Sequence, residues 1–134
     1  MKLLRNAAAV LGIAATFGAL TSAPAFADAG RDGGTCDNSC DAGRAYFTHD
    51  YLNGTELLEV FDDKADGHSV MVENWRYDLD DIGPYPGYVH TGKGTSTKYV
   101  LHMPEGSRID FRVCLAEGKT KIESSCGIRV IEYA

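Results

Sequence analysis

From residue 44 onward, apolar and polar side chains alternate with a period of two, and no stretch holds a helical stripe over about twelve residues. β-Branched and aromatic residues fill the runs, while Gly, Pro, Asn and Asp separate them. The alternation predicts strands over residues 44–51, 55–61, 69–77, 88–91, 97–103, 108–115 and 122–133. About seven short strands divided by turn signals specify an all-β domain, a small antiparallel β-sandwich or barrel. Asn53-Gly54 supplies the positive-φ residues of a tight hairpin between the first two strands, and Asp66-Gly67 is expected to do the same between the second and third. Met103-Pro104-Glu105-Gly106 makes a further turn, with Pro104 presetting φ and Gly106 tolerating left-handed geometry.

Side-chain parity raises one conflict. In the strand from Arg108, Ile109, Phe111, Val113 and Leu115 share the apolar side and Cys114 lies with Arg108, Asp110 and Arg112. Cys126 instead shares parity with Ile128 and Val130. Pairing Cys114 directly opposite Cys126 would place an apolar row on a polar face. A β-bulge at Gly127 is the expected remedy, because a bulge shifts parity by one residue and favours glycine.

The segment before the strands has another character. Lys2 and Arg5 precede an apolar run from Ala7 to Leu20, and Ala25-Phe26-Ala27 has the small residues that signal peptidase requires. Residues 1–27 therefore read as a signal peptide and the remainder as a secreted, extracellular chain; the apolar run is too short to span a bilayer. The leader carries Lys2 and Arg5 and no acidic residue, so its removal takes the net charge from −6 to −8. Such a chain lacks the basic stripe that nucleic acid requires and is repelled by anionic membranes. Residues 28–43 contain no large apolar side chain and read as an extended N-terminal arm, either a tail or a docking segment. Residues 44–134 form the folded domain.

Four cysteines in an oxidising compartment imply two disulfides, and the favoured pairing joins near neighbours, Cys36 with Cys40 and Cys114 with Cys126. Their C-x3-C and C-x11-C spacings do not match zinc knuckles. Asp62, Asp63, Asp66, Asp78, Asp80 and Asp81 read as turn residues and depart from the calcium-loop spacing. His49, His68, His90 and His102 lack a metal-gripping recurrence, and no nucleophile elbow is present. Neither metal nor cofactor is expected. Trp75 and Tyr77 precede a loop with Tyr85 and Tyr88; at least one of the first two is expected in the core, while Tyr85 and Tyr88 suit a protein or sugar interface.

Asp62-Asp63-Lys64-Ala65-Asp66-Gly67-His68-Ser69, Met103-Pro104-Glu105-Gly106, Phe111-Arg112-Val113-Cys114 and Cys126-Gly127 together resemble a group of small secreted actinomycete proteins, over roughly residue 45 to the C-terminus. That resemblance implies a compact disulfide-bonded β-domain. More loosely, the chain resembles the small adaptor subunit of streptomycete umbrella toxin particles, which implies a β-domain with an N-terminal arm bridging two other secreted subunits. The resulting expectation is a non-catalytic protein-binding adaptor of an extracellular toxin-type complex, with Arg31, Arg44, Tyr85 and Tyr88 as its partner-binding residues. Inhibition of an extracellular protease through the Cys36-Cys40 loop and hydrolysis of a polymer by gathered carboxylates are the alternatives.

Overall fold

The computed structural model describes residues 29–35, 41–90 and 92–134. The expected signal peptide, residues 1–27, and the expected Cys36–Cys40 pairing lie outside the described residues. The alternating pattern folds into nine strands among them: β1 (Ala29–Gly34), β2 (Gly43–Thr48), β3 (Glu56–Asp62), β4 (Ser69–Arg76), β5 (Tyr85–Val89), β6 (Thr95–Leu101), β7 (Arg108–Glu117), β8 (Thr120–Ile122) and β9 (Val130–Tyr133). One antiparallel sheet, A, has the order β1-β2-β3-β6. The other, B, runs β5-β4-β7, with β8 and β9 both paired to the remaining side of β7. The fold is thus an all-β sandwich with alternate residues turned inward.

The count exceeds seven for two physical reasons. Part of the expected arm is β1, which pairs antiparallel with β2 through Asp32↔Tyr46 and Gly34↔Arg44. A segment without large side chains can join the sheet because its backbone itself covers the core: a Cβ on Gly33 would stand 3.1 Å from Phe111 and 3.3 Å from Val130. The strand expected over 122–133 is broken by a 3-10 turn at Glu123–Ser125, which leaves its first residue at the end of an additional strand, β8, and its last four in β9. Parity is reset by this interruption, and the expected ladder bulge at Gly127 is replaced by a short non-strand stretch. Gly127 donates its N–H to the Val113 carbonyl at 2.8 Å, and a Cβ there would fall 1.7 Å from the Gly34 carbonyl oxygen. Glycine is required at this position because two backbones meet there. The Cys114–Cys126 disulfide forms and fastens the stretch to β7.

Asp66-Gly67 does not close a hairpin, because β3 and β4 lie in different sheets. Gly67 adopts φ +83° and Asp66 accepts the N–H of His68 at 2.9 Å, so the pair bends a connection that crosses between sheets. Met103-Pro104-Glu105-Gly106 also crosses, from β6 to β7. Asn53-Gly54 turns between paired strands as expected, with φ of +52° and +73°.

Phe47, Leu58 and Val60 from sheet A meet Val70, Val72, Ile109, Phe111 and Val113 from sheet B in one core. Each such side chain contributes about 1.5–3 kcal/mol by leaving water. Neither Trp75 nor Tyr77 belongs to it: Trp75 is half-buried and Tyr77 exposed, because their parity directs them away from the inner face.

Candidate functional site

The four residues expected to bind a partner do not form one surface. Arg31 lies in β1 and Arg44 in β2, whereas Tyr85 and Tyr88 lie in β5 at the far edge of the other sheet. Arg44 is closed within the molecule. Its guanidinium donates to both oxygens of Asp63 at 2.6 and 3.2 Å and to the Tyr46 hydroxyl at 2.8 Å. It also lies 4.6 Å from the centre of the Phe61 ring. Asp63, then Tyr46, holds this guanidinium further toward protonation than usual.

Tyr88 is likewise engaged. Its ring stacks on His90 with centroids 5.3 Å apart, and its hydroxyl donates to the Lys119 carbonyl. Its backbone N–H donates to the Tyr99 hydroxyl at 2.6 Å, and that hydroxyl donates back to the Tyr88 carbonyl at 3.1 Å. Tyr99 thus occupies the open edge of β5, which blunts it against strand addition. The same edge position accommodates Pro86, whose missing N–H would face away from β4. Tyr85 lines a largely apolar cleft of about 230 Å³, and its hydroxyl donates to the Asp81 carbonyl.

A surface of a different kind occupies the outer side of β4, β7 and β9. Inward Val70 and Val72 place Glu73 and Trp75 outward, and inward Ile109, Phe111 and Val113 place Asp110 and Arg112 outward. The register Trp75↔Asp110↔Ile131, with Arg108↔Tyr133 beside it, gathers these side chains. Asp110 sits beneath them, only 1% exposed. It accepts two bonds from Arg108, at 2.7 and 2.9 Å, and one from Tyr77 at 3.2 Å. The bonds to Asp110 hold the Arg108 guanidinium more firmly protonated. Arg108 also lies 4.5 Å from the Tyr77 ring centre.

Arg129 completes the surface from the stretch held by the disulfide. Its guanidinium carbon stands 3.6 Å from the centre of the Trp75 ring, and its nearest carboxylate oxygen, on Asp110, is 3.7 Å away. Next to it, nearly buried Glu73 binds Arg112 at 2.7 Å and Lys121 at 2.8 Å, and Glu123 bridges the same two cations. The hydrogen bond from Lys121 lowers the Glu123 carboxyl below its usual range. Tyr77, Ile131 and Tyr133 remain 41%, 44% and 54% exposed around this scaffold. Trp, Tyr and Arg over a satisfied polar base is the composition that concentrates binding energy in protein interfaces.

The sequence offered only partial signals for this surface. The alternation in residues 69–77 and 108–115 puts Trp75, Arg108 and Arg112 on outward positions; Arg129 falls between Ile128 and Val130 in the alternation expected over 122–133, but that stretch lies outside any strand, so its parity does not place the side chain over Trp75. Other polar clusters are smaller. Ser69 Oγ and His90 Nδ1 are 3.0 Å apart, with no carboxylate against His90 among the described residues. His49 lies between Glu56 at 4.0 Å and Glu132 at 3.5 Å, beside a polar cavity of about 270 Å³ lined by Asp50 and Glu105. Burial raises the Glu56 carboxyl above its usual range. Asp62, Asp63 and Asp66 serve as turn and ion-pair acceptors, and among the described residues no group of three or more His, Cys, Asp or Glu is placed to hold a metal ion. No helix among the described residues is long and apolar enough to cross a membrane. No protein-family model, curated protein or solved structure matches the chain.

Proposed function

We propose that this chain is a secreted, non-catalytic binding module that acts as an adaptor between subunits of an extracellular toxin-type complex. The observation that carries the reading is the Trp75–Tyr77–Arg108–Arg129–Tyr133 surface built over buried Asp110. Its aromatic side chains offer large contact area with little rotamer entropy to lose, and Asp110 and Trp75 already hold the two arginines in place. A partner carboxylate meeting Arg129 would form a charge-assisted bond without that side chain having to give up an internal hydrogen bond. Export is supported by the leader-like residues 1–27 and by the Cys114–Cys126 bridge, which suits an oxidising compartment.

Affinity capture from the native culture medium tests this reading, with the tag placed ahead of residue 28 to leave Tyr133 free. Wild type should retain stoichiometric secreted proteins, Trp75→Ala and Arg129→Ala should lose at least one of them, and Arg44→Ala should retain all. Equal capture by wild type and Trp75→Ala would remove this surface from the function. Recovery of the bait alone would overturn the adaptor.

A further inference from the structure

We propose that the cleft between β5 and β6 receives one large apolar side chain carried on a basic segment of a partner protein. The two strands are edges of opposite sheets on the same side of the sandwich. Tyr99 ties them together at Tyr88, and beyond that tie, toward Tyr85 and Leu101, the sheets part to leave the cleft of about 230 Å³. This space is below the roughly 300–1,000 Å³ typical of small-molecule pockets and suits a single bulky side chain.

The polar groups in its wall are already satisfied. Asn74 donates its amide to the Tyr85 carbonyl at 2.8 Å. Arg76 gives two bonds to Asp78, at 2.8 and 2.5 Å, and one to the His102 carbonyl at 2.8 Å. The hydrogen bond from Arg76 lowers the Asp78 carboxyl, so this pair is neutralised internally and Arg76 is not a free anion receptor. What remains exposed to an occupant is the carbon surface of Tyr85, Pro86, Tyr99, Leu101 and Leu79.

The occupant's charge follows from the loop at the rim. In that loop Leu79 and Ile82 are each 41% exposed and flank the adjacent, exposed Asp80 and Asp81. With Arg76 and Asp78 cancelling, the rim is net acidic on a chain of net charge −6. Basic residues flanking the inserted side chain complement it, and an acidic segment is repelled. Strand addition at β5 is disfavoured by Tyr99, so the contact is made through a side chain. This second surface is separate from the Trp75 face and does not depend on it.

The test is a two-dimensional NMR titration of the chain from residue 28 to 134 with three blocked tripeptides: Lys-Trp-Lys, Glu-Trp-Glu and Lys-Gly-Lys. Lys-Trp-Lys should shift Leu79, Tyr85 and Leu101 resonances saturably. Glu-Trp-Glu should bind about fivefold more weakly or less, and Lys-Gly-Lys should leave these resonances in place. Leu79→Ala should weaken Lys-Trp-Lys severalfold, Asp80→Lys should erase the preference for it over Glu-Trp-Glu, and Trp75→Ala should change neither. Shifts centred on Trp75 and Tyr133, equal binding of the two Trp peptides by wild type, or no saturable shift would overturn the proposal. Because Trp75→Ala separates the surfaces, failure at the cleft leaves the adaptor role of the Trp75 face to be decided by capture alone.

Discussion

The two sheets each carry an arginine stacked on an aromatic ring, and the two are almost equally exposed: the side chain of Arg44 is 41% accessible and that of Arg129 is 45%. Their commitments differ. Arg44 is closed by Asp63, Tyr46 and Phe61, whereas Arg129 rests on Trp75 and makes no hydrogen bond among the described residues. Exposure therefore does not distinguish a structural arginine from one available to a partner; the state of its donors does. The supports differ too. Arg44 and Phe61 are cross-strand partners in the β2–β3 ladder, while Arg129 stands on a non-strand stretch held by a disulfide and by Gly127.

The largest effect expected from breaking this contrast is loss of the crosslink. Cys114→Ser with Cys126→Ser should lower stability by about 3 kcal/mol in the chain-entropy model. It should release Arg129 from Trp75 while the Arg44 cluster persists. Trp75 is the single tryptophan, so its fluorescence reports on the sheet-B cluster alone. Urea unfolding followed by fluorescence and by far-ultraviolet circular dichroism measures both effects. An unchanged Trp75 signal in the folded double variant would show that β9, and not the disulfide, positions Arg129.

Gly127→Ala should follow, at about 2–3 kcal/mol, since the added carbon collides with the Gly34 carbonyl and neither backbone can yield as a flexible side chain would. The loss should be accompanied by faster amide exchange in β1, the strand displaced. Full exchange protection of β1 in this variant would mean the collision is relieved on the Gly127 side.

How far these features could be read in advance follows from their physical origin. The strands of the core were legible because inward Val, Ile, Leu and Phe alternate with outward polar residues, as in Arg108–Glu117. The Cys114–Cys126 pairing and the Asn53-Gly54 turn were also legible, from spacing and from residues that accept positive φ. β1 was not, because Ala29–Gly34 packs backbone instead of side chains against Phe111 and leaves no hydrophobic signal. Sheet assignment was hidden as well: Asp66-Gly67 looks like a hairpin turn locally, and only the global pairing shows that it crosses between sheets. At the candidate site, Arg44 had no sequence mark separating it from Arg129. The decisive partner, Asp63, is nineteen residues away in the chain.

Charge burial sharpens the contrast at smaller amplitude. Burial raises the Asp62 carboxyl in sheet A, whereas the hydrogen bond from Lys121 lowers that of Glu123 beside sheet B. An acid raised by folding opposes the fold once ionised; its favourable effect is complete below the unfolded value and is lost as pH rises through the folded one. An acid lowered by folding does the reverse, supporting the fold above the ordinary range and ceasing to as pH falls through its lowered value. Asp62→Asn, which keeps the oxygen that accepts the Lys64 N–H, should therefore raise stability by up to about 1 kcal/mol near neutrality and lose that advantage below about pH 4. Glu123→Gln should be slightly destabilising near neutrality and converge with wild type in acid. Thermal melts across this range, with the two variants moving in the same direction, would contradict the assignment.

The smallest stability change should come from a substitution at the proposed binding surface. Arg129→Ala removes a stacked cation from an accessible site, and the loss of its contact with Trp75 should cost about 0.5 kcal/mol. Arg44→Ala severs a bidentate ion pair and its ring contacts and should cost about 1 kcal/mol. Binding should rank the two in the opposite order. For a partner seated on the Trp75 face, Arg129→Ala should weaken affinity by about tenfold or more, the scale of an interface hot spot, while Arg44→Ala leaves it within about twofold. Melting curves and titration calorimetry with the captured partner check both rankings. Equal losses of affinity would mean that the sheet-A arginine opens on binding and that its closed state is a resting arrangement. A loss confined to Arg129→Ala would identify an uncommitted guanidinium, held ready by a ring and a buried carboxylate, as what separates an interface from a merely polar face in this fold.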